Sequence, residues 1–391
     1  MEDLCQRIPS VAVMIFKNLN NQSLIKSKEA SSDISQFMHN ERFYWIKIIM
    51  KYNGCFLEYQ AMWNKILEKT PADIIRQFAD AVQKFFTERV SRRAKQWTPL
   101  HIIAEVGLSE LYKYTFEQIG EVNPQNIIGF TPLHFACQKG HFYICEFILK
   151  KISGKNPADI DGRTPLHVAA NHGHLKLCEL IMKNIRNKNP SIIIGPKAGG
   201  TPLHLAAFEG HLKVCEFIME GLQDKNPGSN SGFTPLHFAA ECGQLKVCDL
   251  IMEGLQDKNP GSNSGCTPLH LASKNGHLKI CKLIMDCLEN KNPGDNNGWT
   301  PLHSAALKGC FNVCEFIMER LQDKNSPSHG GTTPLHLAAT KGHFNICKLI
   351  CKKISKIDME DQNGWTPLKF AVFKKQWSVA WLIASFQSAL H

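Results

Sequence analysis

The sequence predicts an all-α fold: a solenoid of helix-turn-helix units joined by hairpin-like loops, preceded by a small helical domain. The first observation is a tetrapeptide, Thr-Pro-Leu-His, which recurs at 33-residue intervals over most of the chain, as at Thr201, Thr234 and Thr267. The second is that each interval contains two helical patterns of apolar residues, and the third is that turn-forming residues separate them. One such unit cannot bury its apolar side alone, so a fixed period of this length predicts copies stacked on one another.

The tetrapeptide marks eight repeats, and a ninth copy ends in lysine instead of histidine, as Thr366-Pro367-Leu368-Lys369. The eight copies begin at Thr98, Thr131, Thr164, Thr201, Thr234, Thr267, Thr300 and Thr333. The one longer step comes before Thr201, where four extra residues predict a longer loop within 191–200.

A first helix is predicted to begin after the threonine of each repeat. In the copy at Thr201, the hydroxyl can cap free amides, and Pro202 suits the first helical position, where its missing N–H costs nothing. Leu203 and Ala206 belong to the apolar face of this helix. Gly210 suits the left-handed conformation that ends it.

A second amphipathic helix is predicted after each mid-repeat glycine. Leu212, Cys215, Ile218 and Leu222 recur at helical spacing, and charged residues lie between them. The turn-forming residues within 226–232 then end the helix and lead to the next threonine. Each unit therefore consists of a helix, a turn, a helix and a hairpin-like loop.

The run Gly-Gly-Thr-Pro-Leu-His-Leu-Ala-Ala-Phe-Glu-Gly-His at 199–211 resembles the ankyrin repeat. The resemblance covers 96–391 as nine repeats and implies an ankyrin-repeat solenoid. The repeats begin near 96, 129, 162, 199, 232, 265, 298, 331 and 364. The Gly-Ala pair usual after the second helix is replaced, for instance by Leu222-Gln223, and we expect this to lengthen the helix slightly.

Residues 1–95 lack the period but keep helical patterns, which predicts an F-box-like helical module at 1–55 and a helical connector or cap at 56–95. The stretch from Ile8-Pro9 to Trp45 resembles an F-box, which opens with Leu-Pro and closes with a tryptophan. It departs from that pattern at Ile8 and has no acidic residue after Pro9.

The F-box resemblance implies docking on the Skp-type linker of a cullin-RING ubiquitin ligase. The linker-binding candidates are Pro9, Val13, Phe16, Leu19, Leu24 and Trp45. The alternative is that these helices only cap the apolar end of the first repeat.

The totals indicate an ordinary soluble protein, with 43% hydrophobic and 20% charged residues. No apolar run approaches the length of a membrane span or a signal peptide, so we expect a cytoplasmic protein, with a nuclear location also open. The net charge of +10 is spread over the chain. Its densest patch, Arg89, Arg92, Arg93 and Lys95, favours a solvated helix end over a nuclear-import or nucleic-acid site. We expect neither a nucleic-acid nor a membrane partner.

The cysteines follow the repeat. Seven of the fifteen lie fourteen residues after their repeat's threonine, which predicts one buried column of reduced thiols. They are Cys145, Cys178, Cys215, Cys248, Cys281, Cys314 and Cys347. Only His343, Cys347 and Cys351 offer a helical spacing that a metal could use, and the column explains two of these three.

In ankyrin repeats the motif histidine ties one repeat to the next through hydrogen bonds, so the resemblance implies a structural role for the histidines. The sequence has no phosphate-binding glycine loop, no nucleophile elbow and no paired-carboxylate signature. We therefore expect no catalytic residue, no metal and no cofactor, and hence no enzyme.

The ankyrin resemblance implies binding through loop tips and the concave face, which here means the residue before each threonine and the pair before each mid-repeat glycine. These positions vary while the motif stays fixed. Aromatic residues and arginine are favoured interface anchors. The target-binding candidates are Phe130, Arg163, Phe233, Trp299 and Trp365 beside the threonines, and Phe208, Glu209, Leu307 and Lys308 on the helix side. The alternative for each aromatic is packing against a neighbouring loop.

These expectations combine into a non-enzymatic adaptor, the substrate-recognition subunit of a cullin-RING (SCF-type) ubiquitin ligase. Its F-box-like module would recruit the ligase, and its repeats would hold an unknown target protein. The alternative is an ankyrin scaffold or stoichiometric inhibitor with a purely structural N-terminal cap. The last repeat, which contains Trp377 and Trp381, is atypical and predicts an apolar face for self-association or a partner.

Overall fold

The computed structural model describes Ile74, Phe78, residues 98–193 and residues 198–388. Within these residues the protein consists of eighteen helices and their connecting segments. Contacts divide it into two compact units, one including residues 98–169 and 176–186, the other residues 170–175 and the described residues from 187 onward.

The predicted modules at 1–55 and 56–95 lie outside the described residues, apart from Ile74 and Phe78, and so do all the linker-binding candidates. These candidates are Pro9, Val13, Phe16, Leu19, Leu24 and Trp45. Residues 194–197, at the centre of the longer loop, lie outside as well.

Paired helices form the first unit. Helix α1 (Pro99–Val106) packs on α2 (Ser109–Ile119), and α3 (Pro132–Lys139) packs on α4 (Phe142–Lys151). The first helices α1 and α3 also pack on each other, as do the second helices α2 and α4. Helices α5 (Pro165–Asn171) and α6 (Leu175–Asn184) follow.

The second unit repeats this arrangement six times. Its helices are α7 (Pro202–Glu209), α8 (Leu212–Glu220), α9 (Pro235–Glu241), α10 (Leu245–Glu253), α11 (Pro268–Lys274), α12 (Leu278–Asp286), α13 (Pro301–Lys308), α14 (Phe311–Glu319), α15 (Pro334–Lys341), α16 (Phe344–Lys353), α17 (Pro367–Phe373) and α18 (Trp377–Ser388). The odd-numbered first helices pack on one another in chain order, and the even-numbered second helices do the same. Each unit is therefore a stack of helix pairs, as the repeat predicts.

Each first helix starts where the sequence predicts. In α7 the extended Thr201 precedes the helix and Pro202 occupies its first position. Gly210 ends the helix in the left-handed conformation, with φ 83°. A side chain at Gly210 would also collide with the next repeat, since a Cβ there would lie 2.2 Å from Oε1 of Gln244.

The expected lengthening of the second helices is wrong. Helix α8 ends at Glu220, and its cap residue Gly221 donates its N–H to the carbonyl of Ile218. Leu222 lies outside the helix and donates its N–H to Met219 at 3.2 Å. Its apolar side chain is half-buried in the connecting segment instead of extending the helical face.

The connecting loops of the second unit are hydrogen-bonded tight turns. The N–H of Ser229 donates to the carbonyl of Phe233 at 2.8 Å across the left-handed Gly232. Neighbouring loops are joined as well, because the N–H of Asn263 donates to the carbonyl of Ser231 at 3.1 Å. The loop tips are therefore held by backbone bonds from two repeats.

The core consists of repeated columns of buried residues. The motif leucines, from Leu100 to Leu335, are fully or almost fully buried, and so are all seven column cysteines. The described cysteines are free thiols, which confirms the predicted column. Among the described residues, the helices are all too short or too polar to span a bilayer.

Candidate protein-interaction surface

The motif histidine holds the start of each first helix. In the eight Thr-Pro-Leu-His copies, the threonine N–H donates to Nδ1 of the histidine at 3.1–3.2 Å. The threonine hydroxyl lies within 2.9–3.0 Å of the same nitrogen. The threonine hydroxyl was predicted to cap free amides of the first helical turn, and the hydroxyls of Thr300 and Thr333 accept the N–H of His303 and His336 at 3.4 Å. The structure adds that the histidine side chain accepts the threonine N–H.

The other ring nitrogen reaches the following repeat. Nε2 of the motif histidine lies 2.8–3.1 Å from the carbonyl oxygen of the residue just before the next threonine. The pairs are His101 with Phe130, His134 with Arg163, His204 with Phe233, His237 with Cys266, His270 with Trp299, His303 with Thr332, and His336 with Trp365. A carbonyl only accepts, so Nε2 carries the proton and Nδ1 is the acceptor.

Burial keeps these histidines neutral. Desolvation lowers the pKa to about 4 in His101, His204, His237 and His303, and to about 3 in His134. It lowers the pKa of His270 and His336 as well. Neutrality matters because a protonated Nδ1 could not accept from the threonine N–H.

A second row of donors holds the carbonyls that precede the mid-repeat glycines. Nε2 of His141, His211, His277 and His343 lies 3.0–3.2 Å from the carbonyls of Glu105, Asn171, Glu241 and Leu307, respectively. Where the sequence has Gln244 instead of histidine, its amide donates to the carbonyl of Phe208 at 3.2 Å. Histidine and glutamine therefore make the same hydrogen bond to this carbonyl.

These contacts give the target-binding candidates a fixed backbone. Each loop-side candidate accepts a hydrogen bond from a motif histidine through its main-chain carbonyl. This loop-side set consists of Phe130, Arg163, Phe233, Trp299 and Trp365. In the helix-side set, Phe208, Glu209, Leu307 and Lys308, the carbonyls of Phe208 and Leu307 accept from the second row. The sequence indicated which positions vary but gave no sign that they are also the anchored ones.

The side chains of both sets reach solvent to different degrees. Glu209 and Lys308 are exposed, and the remaining candidates are half-buried. In the first unit, the Phe130 ring stacks on His134 at 4.5 Å between ring centres, and the Arg163 guanidinium lies 5.9 Å from the Phe130 ring. Arg163 is further held by Asp159, whose carboxylate lies 2.9 Å from Nε.

In the second unit, ring contacts and one histidine hydrogen bond link two of the candidates. Phe208 lies edge-on to Phe238 at 6.1 Å, and His204 lies edge-on to the same ring at 5.5 Å. His204 also donates to the carbonyl of Phe233, whose ring lies 5.1 Å from His237. Phe208 and Phe233 are therefore joined through the histidine row.

Sequence reasoning missed Phe238 and Phe370. Both lie one residue after the fourth motif position and both are half-buried. Phe238 lies beside the candidate Phe208, and Phe370 lies 5.1 Å from the candidate Trp365, measured between ring centres. Each of these phenylalanines therefore packs against an aromatic residue that the sequence did predict. The signal was present in the sequence, because the same position is Leu or Val in several other repeats.

The predicted loop-side aromatics contact side chains on the first helix of their own repeat, whereas the alternative was packing against a neighbouring loop. Trp299 lies 5.8 Å from His303 of its own repeat, and Trp365 lies edge-on to Phe373 at 5.3 Å. Each ring therefore packs one face on its own repeat, and its half-exposed remainder faces solvent. The roles of the candidates as binding residues remain predictions.

The three residues considered for a metal serve other contacts. Nε2 of His343 faces the carbonyl of Leu307, and Cys347 and Cys351 are buried. Burial raises the pKa of Cys351 to about 12, so its thiol stays protonated. Among the described residues, no His, Cys, Asp and Glu side chains cluster in a way that could hold a metal ion.

Comparison with known families gives one match. The family model described as "Ankyrin repeats (3 copies)" matches six overlapping segments, at 72–158, 100–191, 152–227, 191–260, 254–328 and 320–389. Together these segments cover far more than half of the chain. No curated protein matches the sequence.

Proposed function

The chain belongs to the ankyrin-repeat family, and from that premise we propose that it is a non-enzymatic adaptor whose repeats hold a target protein on the loop-side and helix-side sets. Ankyrin repeats are protein-interaction modules. The finer proposal adds the residues: Phe208, Phe233 and Phe238 as an aromatic anchor in the second unit, with charged neighbours such as Glu209 supplying specificity.

The observation that supports this assignment is the fixed backbone beneath the variable side chains. The loop-side residues, and Phe208 and Leu307 in the helix-side set, have a main-chain carbonyl held by a side-chain donor of a neighbouring repeat. A surface that is already ordered loses less conformational entropy on binding, so more of its contact energy appears as affinity. The variable residues can then change without loosening the scaffold.

We propose further that the adaptor serves a cullin-RING (SCF-type) ubiquitin ligase. The F-box resemblance of the N-terminal region supports this, with Pro9, Val13, Phe16, Leu19, Leu24 and Trp45 contacting the Skp-type linker. In that role the chain supplies proximity between ligase and target, and catalysis belongs to the recruited ligase. The proposal places the protein in the cytoplasm or nucleus, which suits its many free thiols.

The second candidate function is an ankyrin scaffold or inhibitor whose N-terminal helices only cap the stack. The two functions differ in whether the N-terminal helices bind the Skp-type linker. In a titration of the purified full-length chain with the Skp-type linker, the adaptor predicts binding that Pro9→Ala/Phe16→Ala abolishes, with helical circular dichroism unchanged. No binding by the folded wild type would reject the ligase role and leave the scaffold.

The target surface is tested separately. Phe208→Glu/Phe233→Thr introduces residues that other repeats carry at these positions, as at Glu241 and Thr332, so the stack should stay folded. We expect the full-length variant to lose proteins that the wild type retains from a cell extract, measured by quantitative mass spectrometry. Pro9→Ala/Phe16→Ala should keep those same proteins. An unchanged set of retained proteins would reject the assigned surface.

A further inference from the structure

Four exposed lysines stand at the ends of four successive first helices in the second unit. Three of them are the last residue of their helix, and the fourth is the residue directly after its helix. We call these four residues the lysine row: Lys274 on α11, Lys308 on α13, Lys341 on α15 and Lys374 after α17. Because Lys308 belongs to the helix-side set, the lysine row extends that set over four repeats.

Contacts between neighbouring repeats place the first members of the row side by side. Helices α11, α13, α15 and α17 pack on one another in chain order. The Sγ of Cys310 lies 3.5 Å from the carbonyl oxygen of Lys274, which sets the end of α13 against the end of α11. Nε2 of His343 lies 3.2 Å from the carbonyl oxygen of Leu307, which sets the end of α15 against the end of α13.

The last two members of the row are aligned in the same way. A Cβ on Gly342, next to Lys341, would lie 2.2 Å from Oε1 of Gln376, which is two residues after Lys374. The four helix ends therefore follow one another without a break. Packed helices lie about 8–10 Å apart, so the lysine row spans roughly 24–30 Å.

Among the residues that the structure describes, the lysine row meets no counter-charge, since none of its four ammonium groups pairs with a carboxylate. Helices α11, α13, α15 and α17 themselves contain no aspartate or glutamate. Lys374 places its ammonium 5.1 Å from the Phe373 ring, a contact that leaves its charge uncompensated. A row of unpaired cations attracts an anionic partner.

The helix dipole does not account for the lysine row. A cation at the end of a helix is favoured by the dipole, so the lysines could in principle serve their own helices alone. Two earlier first helices of the same unit end in a carboxylate instead, α7 in Glu209 and α9 in Glu241. The fold therefore accepts either sign of charge at this place, and the helix ends of the unit divide into an acidic pair and a basic row.

We propose that the lysine row binds an acidic segment of the target protein, with its carboxylates lying along the ends of α11, α13, α15 and α17. This inference rests on the proposed function, because it gives a chemistry to the target that the helix-side set holds. A protein segment fits this surface better than a nucleic acid does. Glu209 and Glu241 continue the same line of helix ends and would repel a phosphate backbone, whereas a protein segment can change its charge along its length.

The test uses the full-length chain and a displayed library of random peptides of about 20 residues, long enough to follow the row as an extended chain or as a helix. Peptides selected on the wild type are then measured against Lys308→Glu/Lys341→Glu. Both substitutions copy Glu209 of an earlier repeat, so this row variant should fold, which circular dichroism checks. The matched control is Lys279→Glu/Lys348→Glu, which reverses two exposed lysines on the second helices α12 and α16.

We expect the selected peptides to be rich in Asp and Glu. Their affinity should fall at least about tenfold in the row variant and change at most about twofold in the control, since the two variants have the same net charge and differ only in where it lies. Raising the salt from about 0.1 M to about 1 M shortens the Debye length from about 10 Å to about 3 Å and should weaken binding to the wild type.

Four results would overturn the proposal. Equal losses in the row variant and the control would show that net charge, and not the row, attracts the peptides. Peptides without an acidic excess that the row variant keeps and Phe208→Glu/Phe233→Thr loses would leave the proposed target surface intact and reject its acidic partner. Peptides that none of these variants weakens would reject both the row and that surface. A single-stranded DNA of about 20 nucleotides that binds through the row more tightly than the peptides would make a nucleic acid the occupant.

Discussion

The interior repeat at Thr300 and the last repeat, at Thr366, share the first three motif residues but differ in the fourth, which is histidine in one and lysine in the other. His303 accepts the N–H of Thr300 at 3.1 Å and reaches forward to the carbonyl of Thr332 at 2.9 Å. Lys369 instead reaches back, donating to the carbonyl of Gly364 in its own loop at 2.7 Å. The fourth residue therefore binds the following repeat in the interior and its own loop in the last repeat.

The mid-repeat glycine shows the same difference. Gly309 lies under the imidazole of His343, and its left-handed backbone leaves no room for a side chain. Lys375 keeps that backbone conformation with a side chain attached. Conformation and packing both require glycine in the interior, whereas in the last repeat only the conformation favours it.

The largest expected effect is a loss of interior stability in acid. Desolvation lowers the pKa of five motif histidines to about 3 or 4, so the unfolded chain binds protons first as the pH falls. Stability is then complete above about pH 6.5 and decreases toward pH 4, by up to about 1.4 kcal/mol per pH unit for each histidine. Urea unfolding followed by circular dichroism between about pH 7 and pH 5 measures this slope.

A matched variant sharpens the acid prediction. His303→Gln keeps a donor and an acceptor, as Gln244 does in the second row, and should reduce the slope by the share of one histidine. If the free energy of unfolding stayed constant between about pH 7 and pH 5, or rose in acid, the claim that the motif histidines are buried in the neutral form would be contradicted.

The next largest effect separates the two motif residues directly. His303→Ala should lower the free energy of unfolding by about 3 kcal/mol, because it leaves a cavity and an unpaired buried N–H and carbonyl. Lys369→Ala should cost at most about 0.5 kcal/mol, since its contact with Glu360 is on the surface. Urea unfolding of both variants measures the difference, and equal losses would show that the covering repeat is irrelevant.

The smallest expected effect is a change in stability on substitution at the mid-repeat glycine position, and its sign differs between the two repeats. Gly309→Ala should destabilise by about 2 kcal/mol through left-handed strain and its clash with His343. Lys375→Gly should stabilise by about 1 kcal/mol, because relief of that strain exceeds glycine's greater freedom in the unfolded chain. Thermal unfolding of the two variants measures the sign of each stability change. Destabilisation by Lys375→Gly would contradict the claim that this position is not packed against another repeat.

Local features of the fold were predictable from sequence because they depend on few neighbours. Thr201, Pro202 and Gly210 mark the ends of α7 as the motif indicated. The extent of α8 was mispredicted, since Leu222 is apolar in either a helix or a half-buried loop and periodicity cannot separate the two. Helix ends depend on the packing of the loop that follows.

The candidate surface was predictable in position but not in construction. Variation at Phe233 and Phe208 pointed to binding positions, but their role as carbonyl acceptors depends on side chains 29 and 36 residues away.

The most direct measurement is a histidine titration by nuclear magnetic resonance of the full-length wild type and of Lys369→His. The account predicts that the five histidines with a pKa of about 3 or 4, which are His101, His134, His204, His237 and His303, stay neutral down to about pH 4. The imidazole introduced by Lys369→His should titrate near its ordinary value of about 6.5. If the interior histidines titrated near 6.5, or the introduced imidazole titrated as low as they do, the claim that covering repeats fix the histidine row and the surface above it would be wrong.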